Sequence, residues 1–161
     1  MKTYKAPWST LLIVMSTLAT LLILGLVVWL AFLPLPKHGS EIVLWLRWLP
    51  LLLVPICALS IVRGYAITAD AILVHRLFWS TRLPRAGLKS ATFEPGIMCK
   101  SIRTCGNGGF FSFTGFYWNK TLKSYRAFVT DHRRTVVLHY ERRTIVVSPG
   151  EPEEFVRALM G

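Results

Sequence analysis

Acidic side chains are scarce in this chain: eight Asp and Glu stand against nineteen Lys and Arg in 161 residues. Seven of the eight lie beyond residue 63, scattered or gathered near the C-terminus. Their spacing suggests no nucleophile, base and orienting acid, so enzymatic activity is not expected. Cysteine is sparse as well, with three residues. Cys57 falls inside an apolar run, and Cys99 and Cys105 are spaced more widely than the Cys-x2-Cys pairs of zinc sites. His132 and His139 do not complete a ligand set. No metal or cofactor is expected, and Cys99 and Cys105 read as unpaired cytosolic thiols. The stretch Gly106-Asn107-Gly108-Gly109 lacks the Lys-Ser or Lys-Thr and the following helix that a phosphate loop requires. A cleaved leader is not expected either. Lys2 and Lys5 precede the first apolar run, but that run exceeds the roughly 7–15 residues of a signal core. Pro34-Leu35-Pro36-Lys37 after it offers no small-x-small cleavage site.

What the chain does have is apolar length, in residues 9–32 and 42–62. A helix rises about 1.5 Å per residue and the bilayer core is roughly 30 Å thick, so about 20 apolar residues suffice to cross it. Residues 1–63 are therefore expected to form a two-helix transmembrane hairpin, and residues 64–161 a soluble domain hanging from it. Lys2, Lys5 and Arg63 near the spans put both termini on the cytoplasmic side of an inner membrane. Tyr4 and Trp8 mark one interface, Trp29 and Phe32 the other, and Trp45, Trp48 and Tyr65 the second helix. Pro50 and Pro55 each remove a backbone hydrogen bond and are expected to kink that helix. Arg47 is an intramembrane charge about 9 Å past Glu41 along a helix. It either snorkels to headgroups between Trp45 and Trp48 or lines a path through an oligomer.

Beyond Arg63 the pattern turns to short β-type segments. Residues 65–68 and 71–79 flank a turn at Ala69-Asp70, and 83–93 is a weaker segment. Residues 94–109 read as a loop. Strands follow at 110–118, 123–130, 135–140 and 144–148, with turns every nine or ten residues. The spacing predicts an antiparallel meander closing into a barrel or sandwich of about seven strands. Residues 152–160 read as one helix, capped by Gly150 or Ser148, with Glu151, Glu153 and Glu154 at its positive end. Phe155, Ala158 and Leu159 form a face able to plug the barrel. The fold class is α+β.

The run Gly108-Gly109-Phe110-Phe111-Ser112-Phe113-Thr114-Gly115-Phe116, followed by Tyr125-Arg126-Ala127-Phe128-Val129-Thr130-Asp131, resembles the bacterial pleckstrin-homology-like (PH-like) family of membrane proteins. Ile145-Val146-Val147-Ser148-Pro149 leading to Pro152-Glu153-Glu154-Phe155 and the opening Tyr65-Ala66-Ile67-Thr68 are similar too. The resemblance spans residues 65–159 and implies a PH-like fold in a membrane setting, with no common reaction. Eukaryotic versions that hold phosphoinositides place basic residues around the first turn. Here that turn is Thr68-Ala69-Asp70-Ala71, with an acid and no base.

Residues 64–161 carry fourteen basic and seven acidic residues, a net charge of +7. Beside a bilayer, such a charge favours anionic headgroups, and nucleic acid is not expected as a partner. The first strand leaves the membrane at Tyr65, so the second is expected to return to it at Phe78-Trp79. That defines a candidate lipid-facing edge of Arg76, Phe78, Trp79, Arg82 and Arg85. The pairs Arg133-Arg134 and Arg142-Arg143 sit at opposite ends of one strand, about 20 Å apart. The expected function is a membrane-anchored, non-catalytic binding or scaffolding module. Its partners would be membrane lipids, an unknown protein at a sheet edge, or a second copy. The alternative is a small transport or channel subunit using Arg47.

Overall fold

The computed structural model describes residues 1–34 and 45–161. The expected hairpin tip, with Lys37, His38 and Glu41, and the start of the second expected span lie outside the described residues.

The chain opens with a strand that the sequence does not announce. Lys2–Lys5 forms β1. Thr10–Phe32 then forms helix α1, whose N-cap Ser9 accepts a hydrogen bond from the Leu12 amide. With a mean hydropathy of 2.7 over its best window, α1 is long and apolar enough to cross a membrane. The second apolar run is not one continuous helix where it is described. A 3-10 turn at Leu49–Leu52 leads into a short helix, α2, at Leu53–Ala58. Pro50 and Pro55 account for the break, since neither supplies a backbone N–H. The run ends early as well. Val62 is already the first residue of strand β2, Val62–Ile67.

Strands β2, β3 (Ala71–Arg76) and β4 (Ser80–Pro84) make an antiparallel sheet, and β1 joins its free edge beside β2. Its register sets Lys5 opposite Gly64 and Lys2 opposite Ile67. Tyr4 is buried, with its ring edge-on to Phe155 at 5.1 Å. Tyr65, expected at the membrane surface, is instead fully buried in the core, because it alternates inward on β2.

The second sheet has six strands in the order β5 (Leu88–Phe93), β9 (Val136–Tyr140), β10 (Thr144–Val147), β8 (Lys123–Val129), β7 (Phe113–Asn119), β6 (Ile102–Gly108). The expected single segment at 83–93 is two strands in different sheets, and the expected loop at 94–109 contains β6. Among the described residues there are ten strands, β1 lying ahead of the expected domain, in place of the expected seven or so. The meander is also interrupted, since β10 inserts between β9 and β8 and runs parallel to β8. Residues 130–135 therefore step across one strand position. Ser148, at the end of β10, ties that crossing down by accepting the Thr130 amide at 2.8 Å and the Asp131 amide at 3.3 Å.

Helix α3, Pro152–Met160, closes the space between the sheets. Phe155 and Leu159 are buried in the core, with Ala158 half in it. Burial of a side chain of that size contributes about 1.5–3 kcal/mol. Its N-cap is Glu151, with no side-chain bond. Ser148, one of the expected caps, spends its hydroxyl on the crossing.

Residues alternate across the second sheet. Val136, Leu138, Ile145, Val147 and Phe128 face the first sheet and α3. Val137, Val146, Ala127, Val129 and Phe113 face the opposite way, where Met98 and Leu12 cover them. Leu12 is the third residue of α1, so the apolar helix begins as part of the folded domain.

A Cβ on Gly64 would lie 2.7 Å from the Tyr4 carbonyl oxygen. Gly64→Val is thus expected to strip β1 from the sheet while leaving the other strands paired. Hydrogen exchange of residues 1–8, followed by mass spectrometry, should speed up by at least tenfold. Unchanged exchange would refute the importance of this contact.

Candidate functional site

At one end of the domain, the two apolar segments and the β6–β7 tip converge. Ser16 of α1 is buried; its hydroxyl accepts the Phe111 amide at 2.9 Å and donates to the Gly109 carbonyl at 3.4 Å. Ser60, just after α2, receives a hydrogen bond from Asn107 Nδ2 at 2.7 Å, and the Ser112 hydroxyl donates to the Ser60 carbonyl at 2.9 Å. Asn107 also accepts the Phe110 amide at 3.0 Å, which shapes the tip internally. Phe110 and Phe111 stack at 4.5 Å, and Phe111 lies 6.2 Å from Trp8. One serine from each apolar run thus pins both segments to one loop.

The loop can be held this way because β6 and β7 approach closely. Gly106 and Gly115 are paired, at φ +115° and +140°. A Cβ on either would collide with the facing backbone.

The five residues expected to form one lipid-facing edge divide into two groups. The register Val62↔Arg76 puts Arg76 and the following turn, with Phe78 and Trp79, beside the emerging apolar segment. Phe78 is 76% exposed and Trp79 48%. Arg82 and Arg85 lie toward the other end, because β4 turns back along β3 with Leu73 opposite Arg82 and Ala71 opposite Pro84. Arg82 forms an ion pair with Asp70 in the β2–β3 turn. This pairing and the Thr68 hydroxyl hold the Asp70 carboxyl below its usual range, the hydroxyl contributing more. Arg85 donates to the Leu159 carbonyl at 2.9 Å, at the end of α3. Those two arginines fasten the remote end of the fold.

Arg76 is held differently. It donates to the Thr81 hydroxyl at 3.2 Å and to the Ser60 carbonyl at 3.4 Å. Its guanidinium sits 5.8 Å from the Trp79 ring and 5.1 Å from that of Phe128. A residue absent from the expected edge, Arg126 on β8, approaches the same Phe128 ring at 4.8 Å and the Phe116 ring at 5.7 Å. Burial, and then the charge of Arg126, push the Arg76 pKa down. Among the described residues neither arginine has an acidic partner.

Arg47 donates to the Leu33 carbonyl, the C-cap of α1, at 2.8 Å. A cation there complements the negative end of the helix dipole. Of the other basic pairs, Arg134 bonds to the Gly150 carbonyl and to Asp131, and Arg143 lies over the Tyr140 ring at 4.9 Å. The Gly106–Gly109 stretch is the end of β6 and its turn, with Asn107 spent on the tip. Cys57, Cys99 and Cys105 are free thiols.

The sequence profile of the bacterial PH domain family matches residues 63–161. The chain belongs to that family, and membership supports a binding or scaffolding module. No curated protein and no solved structure is detectably similar to the chain.

Two substitutions probe this end of the domain. Ser16→Ala leaves the Phe111 amide without its partner, at an expected cost of about 1–3 kcal/mol in thermal unfolding of the full chain in detergent. An unchanged melting temperature would show that the serine does not pin the loop. His132, whose ring lies 4.2 Å from Phe113, has a buried Nε2 with no partner among the described residues, and burial lowers its pKa below 6.5. The unfolded chain therefore binds this proton more readily than the folded one. The contribution of His132 to stability is complete above pH 6.5 and falls as the pH drops from there toward the folded pKa. His132→Phe should flatten that acid limb in melts at stepped pH, and an identical limb in the variant would exclude His132 as its source.

Proposed function

We propose that this protein is a membrane-anchored, non-catalytic binding or scaffolding module that holds its PH-like domain at the cytoplasmic face of the inner membrane. The observation that carries this reading is the pairing of β1 with β2, Lys5 opposite Gly64. It fixes the start of α1 and the end of the second apolar segment at one end of one sheet. If α1 crosses the bilayer, the chain must cross again to reach β2, whatever form the return takes. Both termini then share a side, and the basic residues near the spans favour the cytoplasmic one.

The depth of the domain follows from α1. From Ser16 to Phe32 the helix rises about 24 Å, less than the roughly 30 Å of the hydrocarbon core. A bilayer around α1 therefore reaches the level of Ser16, where Phe110, Phe111 and Trp8 lie. Aromatic rings suit that depth. The bond from Arg47 to the Leu33 carbonyl favours a clamp at the far end of α1 over a charge lining a path.

The test is topological. After alkaline carbonate washing, the chain is expected to stay in the membrane pellet, with tags at both termini digested only from the cytoplasmic side. Release into the wash, or opposite accessibility of the tags, would defeat the proposal. Arg47→Leu should leave this behaviour intact. An ion current in proteoliposomes that Arg47→Leu abolishes would establish the transport alternative instead.

A further inference from the structure

We propose that the cleft between the β3–β4 turn and strands β7 and β8 binds the phosphate of an anionic membrane lipid, held between Arg76 and Arg126. This rests on the membrane-anchored reading and assigns the ligand class that the anchored domain meets.

The cleft exists because the second sheet extends past the first. On β7, Phe113 and Tyr117 face Met98 and α1, so Phe116 and Trp118 alternate onto the side facing the first sheet. They are nevertheless 49% and 39% exposed, because the first sheet does not reach over them. Phe128, fully buried, lies against both guanidinium groups. Trp79 stands on one side and Phe116 on the other, each within 6 Å of an arginine.

Two like charges facing a single ring, one of them half-buried, are costly without a counter-charge. The guanidinium carbons lie 5.1 and 4.8 Å from the Phe128 centroid, and the charge of Arg126 acts on Arg76; the proposed phosphate sits between the two forks. Arg76 has spent one N–H on Thr81 and one on the Ser60 carbonyl, and the remainder of its fork is free. Arg126 makes no hydrogen bond among the described residues and keeps its whole fork. The nearest fold landmark decides the source of the anion. Ser60 is the residue at which the apolar segment gives way to the sheet, and Arg76 touches its carbonyl. The exposed rings of Phe78 and Trp79 adjoin the same corner. A basic pocket rimmed by aromatic side chains at that height meets lipid headgroups before it meets dissolved anions. Arg82 and Arg85 cannot contribute, being committed to Asp70 and to the end of α3.

The experiment uses the full chain in mild detergent and follows its melting temperature against added short-chain phosphatidylglycerol. Short-chain phosphatidylcholine, inorganic phosphate and an acidic peptide serve as separate arms. Replacing the half-buried Arg76 risks the fold, so the main variants change the exposed Arg126. The wild type should bind phosphatidylglycerol at least tenfold more tightly than phosphatidylcholine. Arg126→Gln should lose about tenfold, the worth of a charge-assisted pair, and Arg126→Lys should lose less. Equal response to both lipids, or an Arg126→Gln variant that binds like the wild type, would overturn the assignment. Equal saturation by inorganic phosphate would overturn the lipid source, and binding of the acidic peptide alone would replace it with a protein partner. Carbonate washing of the same variants separates the two levels. A variant that stays in the membrane but loses selectivity supports the site, whereas a wild type that washes off defeats the anchored reading itself.

Discussion

The pairing of β1 with β2 joins two four- to six-residue segments that flank everything apolar in the first third of the chain. A strand of four residues has no stability of its own, and this one holds because Tyr4 enters the core against Phe155. The Lys5 carbonyl also accepts the Gly150 amide at 2.8 Å, and the Ala6 amide reaches the Arg63 carbonyl. Closing so long a loop costs entropy that grows only slowly with its length, so these few contacts suffice. With the loop closed, the direction of α1, the place where α2 ends and the corner holding Arg76 are no longer independent.

That closure brings two kinds of chemistry to one end of the domain. Ser16 satisfies the Phe111 amide and the Gly109 carbonyl of the β6–β7 tip, which would otherwise present bare backbone groups to an apolar surrounding, and Ser60 bonds the side chains of Asn107 and Ser112. Next to them lies a cleft with the opposite character, rich in uncompensated positive charge. The first arrangement answers its own electrostatic demand within the chain. The second does not, and that difference separates a structural joint from a binding surface.

The C-terminal half of the fold was legible because its strands alternate and its turns are punctuated, as in Thr144–Val147 and the helix that follows. Strand β1 was not, since Lys-Thr-Tyr-Lys holds one apolar residue and gains its conformation from a partner far along the chain. Strand β6 reads as loop because its glycines and polar side chains suit an edge with one neighbour. The parallel placement of β10 is invisible to alternation, which is the same whichever neighbour a strand takes. At the site, Phe78 and Trp79 follow from strand direction. Arg82 and Arg85 do not, because residues 80–82, between the expected segments 71–79 and 83–93, are already part of β4, which runs away from the apolar segment. Arg126 carried a readable signal: on β8 it alternates with Tyr125 and Ala127 and shares a face with Phe128, so a charge stands where the pattern calls for a core residue.

Strand β1 also has a consequence for biosynthesis. It precedes both apolar segments in the chain, yet it cannot pair until residue 67 has been synthesised, after both of them. On the anchored reading proposed above, a chain whose N-terminus is left on the wrong side of the bilayer has no β1 to add, and the groove beside β2 that receives Tyr4 stays open. The opposite edge of that sheet, the second row of free backbone groups, remains as it was. Such a chain is marked by an unpaired strand and an exposed Phe155, the features that quality-control machinery and aggregation both recognise. On that reading, residues 2–5 report, after the fact, whether the anchor was inserted the right way round.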